Sequence, residues 1–385
     1  MLFRSVCNNW SDNKMIFHLS DYDGAYRIAL LSNAKSTQNY ALQNGLNSFS
    51  IQKEGQLGFS DGSFFQVTEE TIAKLQIAND GDVFEFDSSG KAFCCYDSSS
   101  GDNTLFVTNR CNCNCVMCPM PEALRKSGNG YSAEQLVDLI RYYPSNSEHI
   151  TITGGEPFLL KKSLFLVLAK LKESLPKTDF LLLTNGRAFC IDDYAQLMKD
   201  KSPTNMLIGI PIHGATQITH DSIMQSQGSF QQTLTGIANL LRVGMNVEIR
   251  LVINRLNANE ISEIAKLIVK DYPSVNCVKI MAMEMTGSAA KNKDLVWISY
   301  PEAFRVSKDA VDILVEHGID VGLYNFPLCC VDSHYWTICE KSISRNKIRF
   351  DLECDDCSVR DACGGVFAGT MKLVKEDLSA IHGEI

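Results

Sequence analysis

Through the middle of the chain, short apolar runs rich in β-branched residues alternate with longer stretches of a different period. The short runs are TLFVT (104–108), HITITG (149–154), FLLLT (180–184), MLIGIPI (206–212), VEIRLVI (247–253) and CVKIMAM (277–283). Their length and composition predict buried strands. Between them lie SAEQLVDLIRYY, KSLFLVLAKLKESL, FQQTLTGIANLLRVG and ANEISEIAKLIVKDY, and PEAFRVSKDAVDILVEHG (301–318) follows the sixth run. Apolar residues recur there at i, i+3, i+4 and i+7, the mark of helices with one buried face. Gly318 is placed to cap the last of them. Strand–helix alternation of this kind predicts a parallel sheet with right-handed crossovers. Six units are too few to close an eight-fold barrel, so the expected form is an open, partial (β/α)6 TIM-like barrel.

The flanks read differently. Up to about residue 102, short β-like runs are broken by Ser, Asn, Asp and Gly. GDVFEFDSSGKAFCCYD reads as a hairpin around a Ser-Gly turn, and DSSSGDN as a linker. From about residue 320 the pattern becomes irregular and rich in cysteine. The predicted class is α/β, in three parts: a small β-rich N-terminal domain (1–102), the partial barrel (103–319), and a cysteine-rich, metal-bound C-terminal domain with its tail (320–385).

Composition narrows the function classes. The 385 residues are 45% hydrophobic and 21% charged, as in ordinary globular proteins, and the formal net charge is −9. That balance argues against a non-specific nucleic-acid binder or an anionic-membrane binder. MLFRSVCNNWSDNK lacks the apolar core of a signal peptide, and no apolar run reaches the length of a membrane span. The expectation is a cytoplasmic protein with neither nucleic-acid nor membrane partner. In a reducing compartment its 15 cysteines are not expected to form structural disulfides. Four fall within 111–118 and six within 329–363, and such clustering points to metal.

The distinctive short motifs fall where predicted strands end. NRCNCNCVMCPMP follows the first, GGEP (154–157) ends the second, TNGR (184–187) the third and PIHG (211–214) the fourth. In barrel folds, loops at that end carry the chemistry. Cys111, Cys115 and Cys118 are separated by three and then two residues, a short-loop spacing suited to iron–sulfur ligation. Three thiolates leave one iron of a four-iron cluster open, and an open coordination position separates a catalytic metal site from a structural one. The competing assignment is a zinc knuckle with Cys113 as fourth ligand. Arg250, the charged residue of VEIRLVI, needs an anion if buried. His213 and Glu284 sit at strand ends facing the same region, as core residues or as substrate contacts. Cys354, Cys357 and Cys363, with Gly364 and Gly365 behind them, form a second ligand-type spacing. Its fourth member must come from upstream, from Cys329, Cys330 or Cys339.

Cys-x3-Cys-x2-Cys after the first strand, with GGEP after the second, resembles the radical S-adenosylmethionine (SAM) superfamily. The resemblance implies a [4Fe–4S] cluster on Cys111, Cys115 and Cys118 whose open iron chelates SAM. The reduced cluster then cleaves the cofactor to methionine and a 5′-deoxyadenosyl radical, which abstracts hydrogen from a substrate. It further implies cofactor contacts from Gly154, Gly155, Glu156 and Pro157, with Glu156 near the ammonium. Asn185 becomes a ribose or adenine contact, or only a turn residue. Arg250 faces the cofactor carboxylate or a structural ion pair. Met117 stands where the superfamily often has an aromatic residue near the adenine.

The C-terminal cysteines resemble the auxiliary-cluster domains of peptide-modifying radical enzymes, the shortened twitch form related to SPASM domains. That likeness implies a second, auxiliary [4Fe–4S] cluster, with structural zinc as the alternative. VTNRCNCNCVMCPMP, GGEPFLL, VEIRLVINR, MAMEMTGSA, LYNFPLCC, KSISRNK and CDDCSVRDACGG occur in an order similar to the C-type radical SAM maturase of the His-Xaa-Ser system. In that comparison Cys329 is the auxiliary ligand, together with Cys354, Cys357 and Cys363. The implied partners are a peptide substrate (a His-Xaa-Ser repeat protein), a paired radical SAM enzyme, and an electron donor such as flavodoxin or ferredoxin. Two other functions compete: a radical SAM enzyme acting on a nucleotide or sugar, and a non-catalytic iron–sulfur or zinc redox sensor. No residue identifies itself as a catalytic hydrogen donor or base; Cys94, Cys95 and Cys339 read as unclustered core thiols.

Overall fold

The computed structural model describes residues 16–53, 55–128, 130–343 and 347–383. The reading of the first fourteen residues and the Ser344–Asn346 part of KSISRNK lie outside the described residues.

The N-terminal part is a seven-stranded sheet in the order β1-β7-β6-β2-β3-β4-β5. Its strands are β1 (Ile16–His18), β2 (Arg27–Leu31), β3 (Ser48–Ile51), β4 (Gln56–Phe59), β5 (Phe64–Gln66), β6 (Val83–Phe86) and β7 (Lys91–Tyr96), with helices α1 (Lys35–Gln43) and α2 (Glu69–Ile77). β6 and β7 are the hairpin expected from the sequence, paired antiparallel. One sheet face buries its own aromatic core of Phe17, Phe49, Phe59, Phe65, Phe84 and Phe86. The other face, through Ile28, Leu30, Val83 and Tyr96, merges with the barrel core. Three tyrosines fasten that seam. Tyr142 donates to the Ile28 carbonyl at 2.9 Å, Tyr131 to Glu85 at 2.5 Å, and Tyr96 meets Ser147 at 2.8 Å. DSSSGDN is no slack linker: the Asn103 side chain accepts from Asp97 N–H at 2.8 Å and donates to the Asp97 and Ser100 carbonyls.

The barrel sheet has eight strands in sequence order, every neighbouring pair parallel. The six strands read from the sequence are present: β8 (Asp102–Phe106), β9 (His149–Thr153), β10 (Asp179–Leu183), β11 (Met206–Pro211), β12 (Asn246–Val252) and β13 (Cys277–Met281). Two short strands, β14 (Asp320–Tyr324) and β15 (Cys339–Glu340), extend the same sheet. β14 lies past residue 319, where the apolar rhythm alone placed the barrel's end. Asp320 and Gly322 interrupt its apolar positions, and its pairing with β13 is a long-range contact.

The connecting helices are α3 (Glu122–Lys126), α4 (Ala133–Ile140), α5 (Leu164–Ser174), α6 (Asp192–Lys201), α7 (Gln217–Met224), α8 (Ser229–Arg242), α9 (Ile261–Asp271), α10 (Gly287–Lys291), α11 (Lys293–Val296) and α12 (Tyr300–Glu316). Local chemistry sets their ends. Ser132 and Gln135 form a reciprocal capping box at the start of α4. Gly318, in the left-handed region, ends α12 as its N–H bonds Val315 and the next N–H bonds Leu314. The side of the sheet that faces the helices is fully buried and aliphatic, with Ile150, Ile152, Leu182, Ile208, Ile210, Ile249, Leu251 and Ile280. Beyond β15 the chain is built of turns and one antiparallel ribbon, β16 (Ile348–Arg349) with β17 (Val366–Phe367). Among the described residues, no helix is long and apolar enough to cross a membrane.

Candidate active site

The loop after β8 is held from several sides. Buried Asn109 donates to the Leu124 carbonyl at 2.5 Å and to Ser127 at 2.7 Å. Asn114 N–H and Val116 N–H bond the Met224 and Ile223 carbonyls at the end of α7, at 3.1 and 3.0 Å. The Cys118 carbonyl accepts from Ser288 N–H at 2.8 Å, and Asn292 reaches the Val116 carbonyl at 2.7 Å. Met117 is buried and touches Asn254 at 3.3 Å through sulfur. Backbone anchoring of this density fixes where the thiols point without a metal present.

GGEP runs beside this loop. Gly155 N–H bonds the Thr108 carbonyl at 2.6 Å, and Glu156 N–H bonds the Arg110 carbonyl at 2.8 Å. A β-carbon on Gly154 would lie 2.2 Å from the Thr108 carbonyl oxygen, and one on Gly155 2.2 Å from that of Arg110. The two glycines are therefore required by the close approach of strap and loop. Glu156 is fully enclosed. Its carboxylate accepts from Phe158 N–H at 3.0 Å, the Thr184 hydroxyl at 2.8 Å and Asn185 N–H at 2.8 Å. It braces the GGEP strap to TNGR. Burial raises its pKa against the pull of these donors. Pro157 is buried at the first position of a short 3-10 helix. Neither Glu156 nor Pro157 lines the cavity described next.

At the C-terminal ends of the strands lies a cavity of about 350 Å³. Its wall brings together Cys111, Cys115, Cys118, Met117, Gly154, Gly155, Asn185, Arg250, His213 and Glu284. It opens toward a second cavity of about 830 Å³ inside the half-barrel, and Leu183, Arg250, Glu284 and Phe367 border both. The smaller volume lies in the range of sites that enclose a small ligand. Asn185 turns its amide to Asn112 at 2.7 Å, tying TNGR to the cysteine loop, and its carbonyl accepts from Arg187 N–H at 3.1 Å. Arg250 contacts Glu248 at 2.8 Å, so the structural ion pair exists while the same side chain faces the cavity. Lys347 holds Glu284 at 3.1 Å.

His213 and His220 are buried, and His213 N–H donates to His220 Nδ1 at 3.2 Å. That bond puts the His220 proton on Nε2. Burial, reinforced by His220, holds the His213 pKa down to about 3, and burial holds His220 down to about 4. Both imidazoles are neutral at physiological pH, and His213 Nδ1 faces no partner.

The thiols are unequal. Cys111 and Cys113 share a hydrogen bond that makes Cys113 the more acidic, helped by the Arg187 guanidinium at 3.1 Å, while Cys111 is pushed up. Burial pushes the Cys115 thiol up. The raised thiols of Cys111 and Cys115 ionise readily only when a metal supplies the positive charge. Among the described residues, no three Cys, His, Asp or Glu side chains converge on a point where one ion would sit. A four-iron cluster does not require that convergence, because each thiolate binds a different iron. The donor set and the cavity beside it fit such a cluster. The residues that would hold it are Cys111, Cys115 and Cys118, with Cys113 engaged by Arg187.

Sequence reasoning missed two arginines here. Arg187 reaches the Asn112 carbonyl, Cys113, Ser226 and Gln232. Arg125, on α3, donates to the Met120 carbonyl, to Asn114 at 2.5 Å and to Ser288 at 3.2 Å. Nothing in PEALRK marks an arginine that turns inward.

Residues 105–268, from within β8 to α9, match the family model of the radical SAM superfamily. The chain carries a radical SAM domain. The Fe-coproporphyrin III synthase of Methanosarcina barkeri is 27% identical over 231 residues, 59% of this chain and 54% of that protein. The sporulation killing factor maturation protein SkfB of Bacillus subtilis is 29% identical over 172 residues, 42% of this chain and 38% of that protein. The GTP 3′,8-cyclase of Alkaliphilus metalliredigens is 26% identical over 228 residues, 58% of this chain and 68% of that protein. The crystal structure of Streptococcus suis SuiB bound to precursor peptide SuiA superposes with a TM-score of 0.50. It shares 13% identity and covers 59% of this chain and 49% of SuiB, a likeness of fold alone. The chain spans about half the length of the synthase and of SuiB.

In the C-terminal region Cys329, Cys354, Cys357 and Cys363 line one small cavity. Backbone N–H groups of Leu328 and Gly365 point at the Cys363 sulfur at 3.4 and 3.3 Å, and that of Ile381 at Cys357 at 3.4 Å. Cys330 and Cys339 are outside this cavity, their thiols directed to the Asp377 and Tyr335 carbonyls. The void is about 20 Å³, room for about one water. The donor set suits a cluster, and seating one requires the loops around it to spread.

Proposed function

We propose that the protein is a radical SAM enzyme that modifies a ribosomally made peptide. One observation carries the proposal: the three cysteines of the loop after β8 share a cavity wall with GGEP glycines, Asn185 and Arg250. In this reading Cys111, Cys115 and Cys118 would hold a [4Fe–4S] cluster, which would supply the electron for reductive cleavage of SAM. The chain's own groups bind and orient. Gly154 and Gly155 would offer backbone carbonyls to the cofactor ammonium, and Arg250 a cation to its carboxylate. Neutral His213 offers a hydrogen bond without a charge, and Met117 contributes an apolar wall. Glu156 acts indirectly, holding GGEP and TNGR at a fixed separation. A redox sensor has no use for this second set of walls.

Two observations support a peptide substrate. The cofactor cavity opens into a larger, polar one within the half-barrel, and SkfB is a maturation protein among the relatives. The finer reading is a His-Xaa-Ser repeat protein as substrate, with a paired radical SAM enzyme and a flavodoxin or ferredoxin as electron donor. We place a second [4Fe–4S] cluster on Cys329, Cys354, Cys357 and Cys363. The cyclase and synthase relatives favour a second reading, a small-molecule substrate.

Anaerobic reconstitution with iron and sulfide, followed by dithionite and SAM, tests the chemistry. 5′-Deoxyadenosine above the Cys115→Ala background is expected, and its absence refutes the enzyme assignment. Co-expression with a His-Xaa-Ser repeat peptide tests the substrate. A changed peptide mass is expected; an unchanged mass with SAM cleavage intact favours the small-molecule reading.

A further inference from the structure

Arg125 is buried, 8% exposed, yet among the described residues no carboxylate forms an ion pair with it, and Glu122 acts on it only through space. Its guanidinium is held by the Met120 carbonyl, Asn114 Oδ1 and Ser288 Oγ, all neutral acceptors. The nearby acids are engaged elsewhere. Glu122, on the same helix, pairs with Lys126 at 2.6 Å and Lys291 at 3.7 Å. Glu284, which lines the same cavity, pairs with Lys347. Glu156 is occupied by Phe158, Thr184 and Asn185. Arg187 also has neutral partners, but it is half-buried and keeps some water. A buried charge without an opposite charge is costly, and proteins rarely keep one without a use.

We propose that the missing anion is the iron–sulfur cluster on Cys111, Cys115 and Cys118, and that Arg125 tunes that cluster by stabilising its reduced state. The inference rests on the radical SAM reading of the site and deepens it. Arg125 lines the same cavity as the three thiols. Reduction brings one electron from an external donor into the cluster and makes the thiolate-bound unit more negative by one charge. The guanidinium stays protonated throughout, so no proton has to move. A fixed cation beside the cluster raises its reduction potential, whereas the hydrogen bonds to Met120, Asn114 and Ser288 alone would not.

The test compares full-length wild type, Arg125→Gln and Arg125→Lys, each with and without reconstituted cluster. The potential is read by dithionite titration in the absence of SAM. The signal followed is the reduced-cluster electron paramagnetic resonance signal that changes shape when SAM is later added. Arg125→Gln should shift the reduction equilibrium at least about tenfold toward the oxidised state, a fall of about 59 mV. Arg125→Lys, which keeps the charge, should shift it by less than half of that. Melting of the iron-free proteins provides the second readout. Without a cluster the guanidinium is an uncompensated charge, so Arg125→Gln should melt at or above the wild-type temperature. An unchanged potential in Arg125→Gln overturns the proposal and leaves the radical SAM reading standing. So does an iron-free Arg125→Gln that melts well below wild type, including one that then fails to take up iron. Wild-type protein that takes up no iron on these thiols defeats the site reading itself.

Discussion

Replacing Glu156 separates a brace from a cofactor ligand. The carboxylate accepts three hydrogen bonds inside the protein, two at Oε1 and one at Oε2, and it is not part of the cavity wall. Glu156→Gln keeps an acceptor for Phe158 N–H and Thr184 but turns an NH₂ toward Asn185 N–H. A lost charge-assisted bond beside an unsatisfied buried donor costs about 1.5–3 kcal/mol, less the relief of a desolvated charge, so a net of about 2 kcal/mol is expected. Glu156→Ala strips all three donors and leaves a void, for about 4 kcal/mol. At roughly 2–4 °C per kcal/mol for a domain of this size, the alanine variant should melt on the order of 10 °C lower. The assay is thermal unfolding of the iron-free protein, followed by near-ultraviolet circular dichroism, alongside SAM affinity of the reconstituted protein by calorimetry. A Glu156→Ala protein that melts with wild type while SAM affinity collapses would refute the brace and put the carboxylate on the cofactor.

Three further outcomes follow from the same geometry. Gly155→Ala forces a β-carbon onto the Arg110 carbonyl, so the cysteine loop must shift; iron uptake by that loop should fall severalfold, as measured by iron content after reconstitution. Cys329→Ala should lower iron content by one cluster's worth, whereas Cys330→Ala and Cys339→Ala should not; equal losses from all three would remove the assignment of Cys329. The buried pair His213 and His220 have folded pKa values depressed to about 3 and about 4 from a reference of 6.5. Their neutral burial is fully favourable above pH 6.5, and stability is lost as pH falls through the window down to those folded values. Lowering the pH from 6.5 to 5 should cost about 2 kcal/mol per histidine, and His213→Gln/His220→Gln should flatten that part of a urea-unfolding profile.

Much of the site was legible because its motifs sit on backbone that strand periodicity already locates. The cysteine spacing, GGEP and TNGR each follow or end an apolar run, Arg250 lies within one, and parallel strands bring their C-terminal ends to one mouth. Cys329 was separable from Cys330 only by family resemblance, yet their thiols face different surroundings in space. What was not legible depends on direction rather than position. Glu156 looked like a cofactor contact because it lies in the motif, and only the fold shows its carboxylate turned toward Thr184 and Asn185. Arg125 sits among charged neighbours on a short helix, and its inward turn comes from packing against Ser288, 163 residues away. β14 is defined by its partner strand more than by its own composition.

The central claim is an open iron corner beside a cofactor cavity. Mössbauer spectroscopy of protein reconstituted with isotopically enriched iron, before and after adding SAM, addresses it directly. The account predicts a four-iron cluster lost in Cys115→Ala, in which a single iron site changes its isomer shift when SAM binds. Spectra that do not respond to SAM, or a loop that takes up zinc in place of iron, would contradict it.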